Sequence, residues 1–177
     1  MAKRGYTRDT IRGGASDWDV SRPFSSYVRT LATLLFHPVH FFELLPRVPD
    51  MRAPGLFLAF SGLVAALAWL PLWGLYPALI ALVLPLPLSF AVAGLYHLGA
   101  LSGRYGYTVT WRVLAYPSGF CLPFVAVPLL GPLAVAYVGL ALVPLGLAKT
   151  QEVGAWRAAL VGVILVVAAG YFLLSLR

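Results

Sequence analysis

Three long stretches of this chain contain no charged side chain. They cover residues 53–103, 113–148 and 158–176, and are fifty-one, thirty-six and nineteen residues long. Because a transmembrane helix needs about 20 apolar residues, these lengths suit two, two and one membrane-spanning helices. Hydrophobic residues make up 60% of the 177 residues and charged residues only 11%, which is typical of an integral membrane protein. The chain is therefore predicted to cross a membrane five times.

Turn sequences divide the two longer stretches at residues 70–77 and 128–132. The predicted fold class is all-α: a polytopic membrane protein with five transmembrane helices in residues 53–177. The predicted spans are Ala53–Pro71, Tyr76–Leu101, Val113–Leu130, Leu133–Ala148 and Ala155–Leu176. Pro85 and Pro87 remove backbone donors from the second span, which predicts a kink covered by neighbouring helices or, alternatively, an unwound transporter-type site.

Basic residues are concentrated on one side of this predicted topology. Of the 13 Lys and Arg residues, all but Arg177 precede the first span or lie in or directly beside the loops after the second and fourth spans, with Arg157 in the first turn of the fifth span. The positive-inside rule then predicts a cytoplasmic N-terminus and a C-terminus outside the plasma membrane. The net charge of +7 follows from this asymmetry, so anionic lipid is the predicted partner and nucleic acid is not.

Residues 26–52 are predicted to form amphipathic helices that lie along the membrane surface. Polar residues recur there at steps of three and four among apolar ones, which is typical of a helix with a narrow polar face. Pro38 predicts that one helix ends near Phe36 and that a second begins with Pro38 in its first turn. The candidate interfacial residues are Arg29, His37, His40, Phe41 and Phe42.

Residues 1–25 are polar and mixed in charge. They are predicted to form a cytoplasmic tail, which is either disordered or docked through Trp18 on a partner or on the protein's own loops.

The turn after the second span collects polar groups that the rest of the apolar chain lacks. Arginine offers a planar fork for phosphate or carboxylate, tyrosine suits the membrane interface, and histidine at a helix end donates to the same kind of acceptor. This turn is therefore the predicted recognition surface for anionic lipid or a partner protein. Its candidate contact residues are His97, Arg104, Tyr105, Tyr107 and Arg112.

The sequence offers little that could perform catalysis. It has one cysteine, Cys121, inside the third predicted span, and no carboxylate or amine within any predicted span. Paired carboxylates, a nucleophile with a nearby base and a phosphate-binding loop are all missing from the sequence. We therefore expect no enzyme activity, no catalytic or metal site and no cofactor.

Several short motifs occur in an order that resembles the Ypt/Rab-interacting-protein (Yip) domain family in its short prokaryotic form. They are Pro38–Phe42, His97-Leu98 with Gly103, Thr110–Tyr116 and Val127–Pro132. The resemblance covers about Phe36 to Leu174 and implies a five-helix membrane domain with a cytoplasmic N-terminus. Eukaryotic members are associated with small GTPases, but their Asp-Leu-Tyr-Gly-Pro segment is missing from this tail, which argues against a small GTPase partner.

These observations predict a non-enzymatic membrane protein that acts by binding. It is expected to be an accessory, scaffolding or assembly subunit of a membrane protein complex, or a lipid-organising protein. One alternative is an oligomeric channel or transporter for a small solute, which the proline-broken second span favours. Another is a haem-bearing electron-transfer subunit that uses the histidines.

Overall fold

The computed structural model describes residues 18–19, 21–47, 50–100, 105–125 and 127–175, apart from the side chains of residues 100 and 168–175. Within these residues the chain forms eight helices and no strand, which confirms the predicted all-α class. The helices are α1 (Pro23–Phe36), α2 (Pro38–Leu44), α3 (Arg52–Trp73), α4 (Leu75–Val83), α5 (Pro85–Ala100), α6 (Tyr107–Val125), α7 (Leu130–Gln151) and α8 (Ala155–Ser175).

Two of these helices, α3 and α7, are each 22 residues long and apolar enough to cross a membrane. The pair α4 and α5 provides a third span if the two are counted as one helix bent by 48°. In α8 the side chains are described as far as Val167, and this apolar segment, Ala155–Val167, is shorter than a span. α6 carries polar residues in its first turns. The structure thus supports two or three membrane-crossing helices, and five spans stay a prediction.

Prolines interrupt the helices at both positions that the sequence indicated. α1 ends at Phe36, α2 begins at Pro38, and the N–H of His37 still donates to the carbonyl of Thr33 at 2.8 Å. The break between α4 and α5 falls at Leu84, directly before Pro85. Both breaks are confirmed, because a proline ring cannot supply the backbone N–H that a continuous helix requires.

The second break is covered by a neighbouring helix. The carbonyl of Ala81 would ordinarily accept a hydrogen bond from residue 85, which is a proline and has no N–H. A Cβ atom at Gly62 of α3 would lie only 3.0 Å from this carbonyl oxygen, so the two backbones are in close contact. This contact favours the kink over the unwound transporter-type site.

α6 lies at the centre of the fold, and every residue from Val109 to Pro117 is buried. Trp111 stacks on Phe90 of α5 with ring centroids 4.5 Å apart, and its indole N–H donates to the hydroxyl of Ser89 at 2.9 Å. Because α6 is enclosed by α3, α5 and α7, the polar residues in its first turns are drawn into the protein.

The helices α1 and α2 pack against the side of the bundle. Tyr27 contacts the rings of Phe57 and Phe60 on α3, with centroids 5.3 and 4.9 Å away. Phe41 packs on Tyr116 of α6 at 5.3 Å. Since Phe57 and Tyr116 lie about 8 and 14 Å from the N-terminal ends of their helices, α1 and α2 sit beside α3 and α6 rather than across their ends.

Trp18, which precedes α1, is docked on the same aromatic cluster. Its side chain is buried and meets the ring of Phe57 edge-on at 6.3 Å. Its backbone N–H donates to the hydroxyl of Tyr116 at 3.4 Å, and its indole N–H to the carbonyl of Pro23 at 3.2 Å. The described part of the tail therefore packs on the protein's own helices.

One irregularity had no counterpart in the sequence analysis. α7 widens into a π-helical turn at Val138–Leu142. The phenol of Tyr96 on α5 donates to the carbonyl of Gly139 within this turn at 3.0 Å. Gly162 of α8 approaches the same carbonyl, so three helices meet there. Such wide turns leave a carbonyl for a partner outside the helix, which Tyr96 supplies.

Candidate functional site

Polar side chains collect where the N-terminal end of α6 meets the C-terminal end of α7. Gln151, the last residue of α7, is only 1% exposed. Its amide oxygen accepts the backbone N–H of Tyr105 at 2.7 Å, and its amide nitrogen donates to the hydroxyl of Thr110 at 3.0 Å and to the carbonyl of Gly106 at 3.3 Å. Gln151 therefore joins the end of α7 to the backbone that leads into α6.

Three of the predicted contact residues are brought together around this junction. The Nδ1 atom of His97, at the end of α5, lies 3.0 Å from the hydroxyl oxygen of Thr110. The imidazole meets the ring of Tyr107 edge-on at 5.8 Å, and the phenol of Tyr107 donates to the carbonyl of Phe90 at 2.6 Å. His97, Tyr105 and Tyr107 thus make contacts within the protein that link α5, α6 and α7.

Arg47 completes the junction from the segment between α2 and α3, which belongs to residues 26–52 that were predicted to lie along the membrane surface. Its guanidinium donates to the hydroxyl of Tyr105 at 3.2 Å and to the carbonyl of Lys149 at 3.1 Å. It also lies 3.6 Å from the carboxylate of Glu152 and 5.4 Å from the centre of the Tyr105 ring. Its position between two proline-flanked helices gives no local signal of these contacts, because all of its partners are distant in sequence.

A second ion pair lies beside Arg47 at this end of the bundle. The amine of Lys149 is 2.7 Å from the carboxylate of Glu43 on α2, and both side chains are partly exposed. We use the name polar junction for Arg47, Tyr105, Lys149, Gln151 and Glu152 together. Arg47 and Lys149 are paired with the carboxylates of Glu152 and Glu43, so the polar junction chiefly connects helices.

Arg112 requires a correction. It was predicted to contact lipid or a partner from the turn, but it is only 1% exposed and belongs to α6, which begins at Tyr107 rather than at Val113. In this position its guanidinium lies inside the protein and does not reach a lipid headgroup. Arg104, the other predicted arginine of the turn, lies outside the described residues.

The predicted interfacial residues divide into two groups. Arg29, His37 and His40 are exposed on the outer side of α1 and α2. Phe41 and Phe42 are fully buried, because the inner face of α2 packs on Tyr116 of α6 and Gly146 of α7, so their rings lie in the protein core. Across the described residues, no three or more His, Cys, Asp and Glu side chains are grouped so that they could hold a metal ion.

Comparison of the chain with protein-family models, with curated proteins and with solved structures returned no match. The resemblance to the Yip domain family therefore stays a prediction that rests on the motifs quoted above.

Proposed function

We propose that this chain is an integral membrane protein that acts by binding, as an accessory or scaffolding subunit of a membrane complex. The observation that carries the proposal is the exposure of large apolar side chains on several helices at once. Leu67 on α3, Leu133 on α7 and Val163 on α8 are all exposed. Large contiguous apolar surface is unfavourable in water, whereas lipid or the helices of another subunit would cover it without that cost.

The polar junction supports the same proposal in another way. Its side chains bond to backbone and side-chain groups of segments that are distant in sequence, so they hold the helix ends in a fixed arrangement. A fixed frame with an apolar exterior suits a subunit that other membrane helices pack against.

The proposed topology has five spans, a cytoplasmic N-terminus and a C-terminus outside the plasma membrane, as in the proposed Yip-like fold. Its support is the charge asymmetry of the sequence, to which the structure adds that Arg47 and Lys149 lie at one end of the bundle. The turn at Gly74 follows the opposite end of α3 and has no basic residue near it in sequence.

The channel alternative rested on the broken second span. The carbonyl of Ala81, which loses its hydrogen-bond donor at that break, lies against Gly62. The described residues around the break therefore provide no observation that favours a solute site there. The haem alternative rested on histidines, and His37 and His40 are exposed on either side of Pro38 rather than enclosed in a cavity.

The proposal is tested by photocrosslinking in native membranes. A benzophenone amino acid is placed singly at the exposed positions Leu67, Leu133 and Val163, and the wild-type chain without it is irradiated in parallel as the control. We expect at least one exposed position to give a protein adduct of defined mass and the wild type to give none. Adducts with lipid alone at all three exposed positions would show that the chain is not a subunit of a complex.

A further inference from the structure

An open groove lies between the end of α5 and the first half of α8. Its volume is about 380 Å³, and it is lined by Gly99, Trp156, Arg157, Leu160, Val161 and Ile164. Val161 occupies the space that a side chain at Gly99 would need, so the two helices touch at the floor of the groove. The walls are therefore formed mainly by the side chains of α8.

These walls change from polar to apolar along α8. Arg157 lies at the start of the helix, with its guanidinium 5.5 Å from the centre of the Trp156 ring. Leu160 and Ile164 follow on the same side of the helix, one and two turns further on, because residues three, four and seven apart share a helix face. The distance from Arg157 to Ile164 along the axis is about 10 Å. The guanidinium of Arg157 thus lies at one end of an apolar groove.

Arg157 differs from the basic residues of the polar junction in its charge balance. Arg47 lies 3.6 Å from Glu152, and Lys149 lies 2.7 Å from Glu43. Among the described residues no carboxylate lies within 4.0 Å of Arg157, whose side chain is exposed. The groove therefore presents a positive charge that an anion from outside the chain can balance.

A phospholipid matches both ends of this groove. Arginine binds phosphate through its planar fork, and tryptophan prefers the headgroup level of a membrane. An acyl chain would cover the apolar wall, which a free phosphate ion would leave exposed. We propose that the groove binds one anionic phospholipid, with its phosphate at Arg157 beside Trp156 and an acyl chain along Leu160, Val161 and Ile164. This inference rests on the proposed function, which places the chain in a membrane.

The proposal is tested with the full chain, purified in mild detergent, by native mass spectrometry of bound lipid. The lipids compared are phosphatidylglycerol and phosphatidylcholine with the same acyl chains. We expect the wild type to retain one phosphatidylglycerol in preference to phosphatidylcholine. The Arg157→Gln variant is expected to lose phosphatidylglycerol affinity about fivefold, the change typical of one basic residue at an anionic headgroup. The control is Arg52→Gln, which removes an exposed arginine away from the groove and is expected to change nothing.

A second pair of variants tests the acyl-chain wall. Leu160 lines the groove and Val163 does not, and the two are similarly exposed, at 51% and 48%. Leu160→Gln is expected to weaken binding of both lipids, and Val163→Gln is expected to leave binding unchanged. Helicity by circular dichroism and elution volume confirm that each variant is folded.

Three results would overturn the proposal. Equal losses in Arg157→Gln and Arg52→Gln would indicate attraction to the whole basic face rather than a site. Competition by inorganic phosphate together with normal binding by Leu160→Gln would indicate an anion site without an acyl chain. Equal retention of both lipids by the wild type would indicate no headgroup recognition. Resistance of the chain to carbonate extraction from native membranes tests the proposed function separately: a chain that stays in the membrane but fails the lipid tests contradicts this inference alone.

Discussion

The guanidinium of Arg47 donates a hydrogen bond to the backbone carbonyl of Lys149 at 3.1 Å. Lys149 lies in the last turn of α7, where carbonyl oxygens have no N–H partner within the helix. Arg47 therefore places a positive charge at the negative end of the helix dipole and satisfies one of these oxygens. Through this contact the segment after α2 is attached to the end of a helix that lies about a hundred residues further along the chain.

Replacement of Arg47 is expected to destabilise the protein. Arg47→Gln loses the charged hydrogen bonds to Lys149 and Tyr105 and the partly exposed ion pair with Glu152. Because the guanidinium is partly solvated, the expected loss in the free energy of unfolding is about 1–2 kcal/mol. Reversible unfolding in mixed detergent micelles measures this loss. Arg52→Gln is the control and should change the free energy by less than about 0.5 kcal/mol.

Gln151 is expected to protect the backbone at the start of α6. Gln151→Met keeps the approximate size of the side chain but removes the acceptor for the Tyr105 N–H and the donor to Thr110. The expected cost is about 1–3 kcal/mol, because buried polar groups lose their partner. Hydrogen exchange should become faster at the Tyr105 amide. Unchanged exchange there would contradict the assigned hydrogen bond, and Arg52→Gln, at an exposed residue outside the polar junction, is the control.

Gly162 is expected to be required for the contact between α7 and α8. A Cβ atom at Gly162 would overlap the carbonyl oxygen of Gly139, which is backbone and cannot rotate away. Gly162→Ala should therefore destabilise the protein by about 1–3 kcal/mol through overpacking. Gly94→Ala is the control, since a Cβ there meets nothing within 4 Å, and it should be neutral or stabilising because alanine favours helix. Similar unfolding of the two variants would contradict the close approach.

The carboxylate of Asp19 provides a prediction about pH. The hydroxyl and the backbone N–H of Ser21 donate to it at 2.7 and 2.9 Å, and these bonds lower the pKa of Asp19. A lowered pKa means that the stabilising contribution is present above the ordinary pKa of aspartate and is lost as the pH falls through the lowered value. Ser21→Ala should raise the pKa of Asp19 towards its ordinary value in a carbon-13 NMR titration. Ser25→Ala, whose hydroxyl donates to Arg22 instead, should leave it unchanged.

The proposed topology predicts the side from which cysteines can be labelled. In a Cys121→Ala background, a cysteine at Leu75 should react with a membrane-impermeant maleimide in intact cells, because the turn after α3 is proposed to face outside. A cysteine at Gly154 should react only after the membrane is permeabilised. Both positions are exposed, whereas Thr150, in the last turn of α7 just before Gly154, is fully buried and would not report on topology. Labelling of Gly154 in intact cells would contradict the proposed orientation.

Features that depend on the local backbone were predictable from the sequence. The break before Pro38 and the bend before Pro85 were anticipated from the missing proline N–H, although Pro71, Pro117 and Pro123 lie inside continuous helices, so a proline favours a break without requiring one. The all-α class follows from apolar composition and helical periodicity, because a chain in lipid must satisfy its backbone hydrogen bonds internally. These are properties of neighbouring residues, so a linear sequence contains them.

The direction in which each polar side chain points was decided by the tertiary structure. Arg112 and Arg157 both read as membrane-surface arginines in the sequence, but packing of α6 at the centre buries Arg112, while Arg157 at the start of α8 stays exposed beside a groove. Likewise, Arg47 and Gln151 join elements whose meeting depends on how whole helices pack. Local periodicity specifies which residues share a helix face, and only the contacts between distant helices determine what that face meets.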